Sequence, residues 1–165
     1  MDIAMSTQEV IDKFVELLWN QRQFDLADEL FLDNFIARPF AHQPMWDGTG
    51  AESMKHHIHG WLEGLPDLQM QPLNVMVQGN QSFVRWEITG THKGFLYGLP
   101  PTGKIIKGKG ITFFEVENGK ILELQTLFDA LGLMQQLHVI PDAVTFIQNH
   151  INHLQQHDNI DKFSN

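Results

Sequence analysis

Asn118-Gly119 stands between two apolar runs, Ile111 to Val116 and Ile121 to Phe128. Both central residues of a two-residue type I′ turn need positive φ, which Asn-Gly tolerates best, so the dipeptide predicts a β-hairpin. The hairpin organises the longer stretch from Gly90 to Leu137. That stretch reads as a strand end, a long loop from Lys93 to Gly103, the hairpin, and a helix-like segment ALGLMQQL introduced by Asp129. In the loop, Gly94, Gly98 and Gly103 are expected to supply positive φ while Pro100 and Pro101 stiffen the path. No G-x-x-x-x-G-K-[ST] occurs in the chain and no helix follows the loop, so it reads as a structured rim or lid and not as a phosphate cradle. Asp129 has two readings at this point. It can cap the helix that follows, or it can be a carboxylate held at the rim of an apolar pocket.

The segments before the hairpin set the fold class. Ser6-x-x-Glu9 is a capping-box pattern, and Val10, Phe14, Leu17 and Leu18 behind it share one helical face as far as about Asn20. A short helix is expected over about Phe24 to Leu32 with Leu26, Leu30 and Phe31 inward. An extended segment follows over Phe35 to Phe40, because Pro39 disfavours helix at Arg38. His42 to Gly50 reads as a loop. A third helix spans about Ala51 to Glu63, presenting Met54, Ile58, Trp61 and Leu62, with Gly64 as its C-cap and Pro66 preventing continuation. In Leu68 to Val77 the apolar residues change from even to odd positions at Pro72, which predicts a bulge. Gly79-Asn80 is a turn signal. From Gln81 to His92, Val84, Trp86 and Ile88 share one face and Arg85, Glu87 and Thr89 the other, as in an antiparallel sheet with one covered face. Helices ahead of long strands argue for α+β, with a bent antiparallel sheet curled around a helix-covered cavity. A last helix is expected over about Asp142 to His157 beyond Pro141, so that 1–140 form the domain and 141–165 a helix and tail packing on it or on a partner subunit.

Composition narrows the function classes. A formal net charge of −9 repels nucleic acid and anionic membranes. The chain has no Cys, which excludes disulfides, thiolate chemistry and Cys-ligated metals. There is no apolar run of membrane-spanning length and no basic, apolar leader in MDIAMSTQEV, so a cytoplasmic location is the expectation. His56, His57 and His59 do not converge on one helical face, and no metal site is expected there. His150, His153 and His157 share a face beside the apolar stripe of the last helix and read as a solvated flank.

One further set of motifs runs through the chain in order. Gly90-Thr91-His92-Lys93-Gly94, Gly98-Leu99-Pro100-Pro101-Thr102-Gly103, Gly119-Lys120-Ile121, Asp129 and Gln136-Leu137, with Pro66-Asp67 after the third helix, resemble the SnoaL-like polyketide cyclases of the nuclear transport factor 2-like superfamily. The resemblance covers about Glu9 to Pro141. It implies a cone-shaped α+β barrel, with three N-terminal helices packed on a strongly curved antiparallel sheet. It also implies an intramolecular aldol cyclisation of a polyketide ester that needs no metal or cofactor. An Asp at the position of Asp129 would take an α-proton while polar groups polarise the carbonyl. Many relatives carry His-Trp where this chain has Leu124-Gln125.

The candidate residues follow. Asp129 is the acid/base candidate, since desolvation beside Leu127 and Phe128 can raise a carboxylate from its unperturbed pKa near ~4. His92 has the strand parity of Val84, Trp86 and Ile88 and can donate to a carbonyl or act as the acid. Trp46, Trp61, Trp86, Tyr97, Phe114 and Gln125 are the candidate ligand contacts, with His42 beside Trp46 in the early loop. The expected ligand is a hydrophobic small molecule. The apolar stripe of the last helix and the outer sheet face predict a homodimer. A non-catalytic binding domain on the same scaffold is the competing reading.

Overall fold

The computed structural model describes residues 4–39 and 48–162 and divides into two compact units, Met1–Ala130 and Leu131–Asn165. The first unit is α+β. Its opening helix α1 (Thr7–Lys13) starts on the expected capping box, with Ser6 accepting from the Glu9 N–H and Glu9 accepting from the Ser6 N–H at 2.7 Å. From Phe14 to Asn20 the helix widens into π geometry, a departure from the regular helix that the spacing predicts. The wider turn moves the buried face, so Phe14, Val15, Leu18 and Trp19 are buried and Leu17 is only half-buried. A 3-10 turn (Phe24–Leu26) and the short α2 (Ala27–Leu30) replace the expected second helix, and the chain is already extended at Phe31.

Six strands form one curved sheet in the order β2-β1-β6-β5-β4-β3. They are β1 (Phe31–Pro39), β2 (Gly48–Thr49), β3 (Gln69–Gln78), β4 (Gln81–Thr91), β5 (Ile105–Glu117) and β6 (Lys120–Phe128). All neighbours are antiparallel except β1 with β6, which makes the sheet mixed where pure antiparallel pairing is expected. The helix α3 (Gly50–Gly64) lies between β2 and β3 in the chain and buries Met54, Ile58 and Trp61.

Three local expectations are met for stated reasons. Asn118 and Gly119 take φ of 53° and 75°, the paired positive values of a type I′ turn. The β3–β4 register shifts between Pro72 and Asn74, where a residue without an N–H sits on an edge strand. Val84, Trp86 and Ile88 are buried on one face of β4. Two glycines work differently from the expectation. Gly64 is the last helical residue, without positive φ, and its missing Cβ makes room for Leu96, whose Cβ would lie 2.7 Å from it. Gly94 also lacks positive φ; a Cβ there would fall 1.9 Å from the Glu63 carbonyl oxygen. Both allow the long loop to dock on the end of α3, where Lys93 and Gly94 donate to the Gly64 carbonyl at 3.0 and 3.2 Å.

The second unit holds α4 (Ala130–Gln136, beginning one residue before the boundary) and α5 (Ala143–Lys162). Asp142 caps α5, accepting from the Thr145 N–H at 3.0 Å and the Thr145 hydroxyl at 2.5 Å. No helix among the described residues is long and apolar enough to cross a membrane.

Candidate functional site

A cavity of about 90 Å³ opens between the inner face of the sheet, α3 and the π segment. Each element contributes by its own periodicity. Met54, His57 and Trp61 enter from α3 at i, i+3 and i+7, and Phe14, Val15 and Trp19 enter from the π turn. Even-numbered residues enter from the strands: Trp86 from β4, Thr112 and Phe114 from β5, and Leu124, Thr126 and Phe128 from β6.

The wall is built of interlocked rings. Trp61 meets Phe128 edge-on at 5.4 Å, and Trp86 stacks on Phe128 at 6.0 Å with an 11° interplanar angle. Phe14 meets Phe114 edge-on at 5.2 Å. Glycine makes this arrangement possible on β5. A Cβ at Gly110 would lie 2.3 Å from the Trp86 ring, and one at Gly108 would lie 2.8 Å from the Phe128 ring. Both aromatic walls therefore lie flat across a strand that has no side chain beneath them.

Tyr97 lines the cavity from the long loop. Leu96 and Leu99 exchange two backbone hydrogen bonds (3.1 and 2.9 Å) around Tyr97-Gly98, whose φ values are 51° and 79°. A positive φ at a tyrosine is strained, and here it brings the phenol ring edge-on to Trp61 at 5.7 Å. Desolvation pushes the Tyr97 phenol up to about 12, so it keeps its proton at any physiological pH.

His57 carries the imidazole of the site. Desolvation, with a smaller contribution from His56, lowers its pKa to about 4, so the ring is neutral near pH 7. It lies edge-on to Trp19 at 6.0 Å. Side-chain hydrogen bonds on the sheet side include one cluster. The Trp86 indole N–H donates to Thr112 Oγ1 at 2.8 Å, and the Thr112 and Thr126 hydroxyls are 3.0 Å apart. Arg38 reaches the lining at the end of β1, with its Nε 3.7 Å from Glu123 Oε1.

The residues proposed from sequence thus fall into groups. Trp61, Trp86, Tyr97 and Phe114 come together around the cavity. Trp46 and His42 lie outside the described residues. Gln125 is on the other side of β6 from the lining, and its side chain donates to Glu123 at 2.6 Å. His92 is fully buried, as its strand parity predicts, but outside the lining. It closes the neck of the long loop. Its Nδ1 is 3.0 Å from the Thr102 hydroxyl, its N–H donates to the Lys104 carbonyl, and its carbonyl accepts from the Gly103 N–H. Asp129 follows cavity-lining Phe128, its N–H donating to the Lys109 carbonyl at 3.0 Å. Its side chain is exposed and is not part of the lining. Among the described residues no group of three or more His, Cys, Asp or Glu can hold a metal.

Sequence reasoning missed Trp19, Thr112 and Thr126. The two threonines share the parity of Phe114 and Phe128, and the even-numbered glycines of β5 were the signal that a large ring crosses there.

The fold, the motif order and an aromatic cavity on the inner sheet face together define the class. The chain belongs to the SnoaL-like polyketide cyclase family, whose model matches residues 9–137. Aklanonic acid methyl ester cyclase DnrD of Streptomyces peucetius is 26% identical over 136 residues, which cover 81% of this chain and 92% of that protein. A candidate SnoaL-like polyketide cyclase from Jannaschia sp. CCS1 superposes with a TM-score of 0.73 at 23% identity, covering 86% of this chain and 97% of that one. AclR from Streptomyces galilaeus, described as a candidate hydroxylase, also gives 0.73, at 19% identity and 93% and 96% coverage. At these identities the structural likenesses speak to the fold, and a fold hosts several chemistries.

Proposed function

We propose that the chain binds a hydrophobic, polyketide-like carbonyl compound in the cavity and cyclises it by acid/base chemistry, with Asp129 as the group that takes the α-proton. The observation that carries this reading is the aromatic cavity of Trp61, Trp86 and Phe128 inside the segment that matches the family. Asp129 is the residue after Phe128, so a substrate extending from the cavity past the end of β6 passes close to its backbone. The volume bears on substrate size. About 90 Å³ is less than the roughly 150 Å³ that accommodates benzene and far less than the roughly 300–1,000 Å³ of drug-sized pockets. A multi-ring substrate enters by moving the wall, of which the Tyr97 turn, at 47% exposure, is an outer part.

One observation favours a second reading, a binding domain without turnover: the Asp129 carboxylate is exposed and outside the lining. Asp129→Asn separates the two. Aklanonic acid methyl ester, the substrate named for the relative above, is the first compound to try, followed by other aromatic polyketide esters. If Asp129 is the base, Asp129→Asn lowers the rate by roughly 10²–10⁴-fold with little change in binding. An unchanged rate would remove Asp129 from the mechanism. Binding of the ester without turnover by the wild-type chain would establish the binding domain.

A further inference from the structure

The cluster of Trp86, Thr112 and Thr126 holds one more hydrogen than the hydrogen bonds it makes. Thr112 and Thr126 are direct cross-strand partners on β5 and β6, and the Trp86 indole reaches over Gly110 to Thr112. An indole N–H only donates, and each hydroxyl carries one hydrogen. Three hydrogens therefore serve two hydrogen bonds: Trp86 to Thr112, and one between the two threonines. If Thr112 donates to Thr126, the surplus O–H is on Thr126; if Thr126 donates, it is on Thr112. Neither threonine hydroxyl has another hydrogen-bond partner among the described residues, and both residues line the cavity. Thr112 is 5% exposed, so its hydroxyl has little access to bulk water. A hydroxyl that accepts an N–H bond is also polarised into a better donor.

We propose that the Trp86–Thr112–Thr126 chain is the anchor for an acceptor oxygen of the ligand, a carbonyl oxygen held on the sheet floor of the cavity. A carbonyl has lone pairs and no hydrogen, so it satisfies the surplus donor without bringing a new unmet one. The chain thereby selects among apolar ligands of equal shape for those with C=O at one position. The inference rests on the cavity being the ligand site.

The experiment uses the full ¹⁵N-labelled chain and two probes of nearly identical shape, acetophenone and α-methylstyrene, in which CH₂ replaces the carbonyl oxygen. Indole N–H resonances of Trp19, Trp61 and Trp86 report on the cavity, since all three rings line it. Wild-type chain is expected to bind acetophenone roughly 2–12-fold more tightly, the range of one net hydrogen bond. The Trp86 N–H should shift downfield with acetophenone beyond any shift that α-methylstyrene produces. Trp86→Phe with Thr112→Val and Thr126→Val removes every donor of the chain and should abolish the preference, whereas Thr112→Ser with Thr126→Ser should keep it. Equal affinity of the two probes for the wild type overturns the donor assignment and leaves the cavity reading standing, and this comparison needs no variant to fold. A preference that survives the triple substitution overturns it as well. If neither probe moves any of the three resonances, the cavity is not a ligand site and both readings fall.

Discussion

Phe113 and Phe114 are neighbours on β5 that point to opposite sides of the sheet. Phe114 is 1% exposed and stands in the ring cluster that walls the cavity. Phe113 faces outward and meets Phe83 at 5.1 Å, and Phe83 is 43% exposed. The outer face continues with Ile111 and Leu127, each more than 40% exposed, among pairs such as Lys109 with Glu87 (3.3 Å) and Arg85 with Asn74 (2.9 Å). Apolar content alone therefore does not separate a pocket from a surface in this sheet. The inner face differs in having glycines that let rings lie flat and a hydrogen-bonded polar cluster among apolar neighbours. The outer face has scattered ion pairs, and its Phe83, Ile111 and Leu127 stay exposed.

The sharpest test of that difference is a pair of adjacent truncations. Phe114→Ala is expected to lower unfolding free energy by about 3–5 kcal/mol, the usual cost of emptying an aromatic core site. Phe113→Ala should cost no more than about 1 kcal/mol in the isolated chain, as at other half-covered surface positions. Urea midpoints read both, and equal losses would erase the distinction between the faces.

A second, smaller effect tests the inner side through pH. His57 titrates at about 4 in the folded chain against an ordinary value of 6.5. The unfolded chain thus binds the proton more readily, and stability falls as pH drops from about 6.5 toward about 4. At pH 5 the loss attributable to His57 is about 2 kcal/mol. His57→Gln should remove that part of the slope, so wild type and variant converge on acidification from pH 7 to 5. Parallel stability curves would mean that the imidazole is not desolvated.

How far the sequence discloses these two faces depends on the strand. On β4 the alternation is uninterrupted, so Trp86 is legible as inward and His92 as buried. On β6 it is not. Val116 pairs with Ile121 but Glu115 with Glu123, which leaves Leu122 as an extra residue and reverses the parity beyond it. Ile121 is therefore inward, and so are Leu124, Thr126 and Phe128, while Gln125 turns out. No Pro or Gly marks that bulge as Pro72 marks the one on β3. The π turn that sets Trp19 on the cavity is silent for the same reason, since Phe14, Leu17 and Leu18 satisfy an ordinary helix equally well. The parallel pairing of β1 with β6 joins segments about ninety residues apart, and such partners leave no local signal. Motif order supplied the family, but parity decided which of its positions face the cavity.

The outer face carries the smallest effect on folding and the most specific one on assembly. A contiguous apolar surface of Phe83, Ile111, Phe113 and Leu127 is unusual on an isolated chain, and a two-fold partner would cover the same residues on both copies. We propose that a second copy is that cover. Phe83→Asp should lower the stability of the monomer by about 1 kcal/mol, because Phe83 is only partly covered. In a dimer the same substitution sets two buried carboxylates into one isologous interface, where each is desolvated without a partner. Sedimentation equilibrium at micromolar concentration should then give a dimer for wild type and a monomer for Phe83→Asp. Salt provides an independent check. Each chain carries a formal charge of −9, so two copies repel, and apolar contact must overcome that repulsion. Raising ionic strength screens the charge and leaves the apolar term, so wild-type association should strengthen between 0.05 and 0.5 M salt, on the order of a Debye-length change from about 14 to 4 Å. A wild-type monomer at every salt concentration, or a Phe83→Asp chain that still dimerises, would show that this face is not where two copies meet.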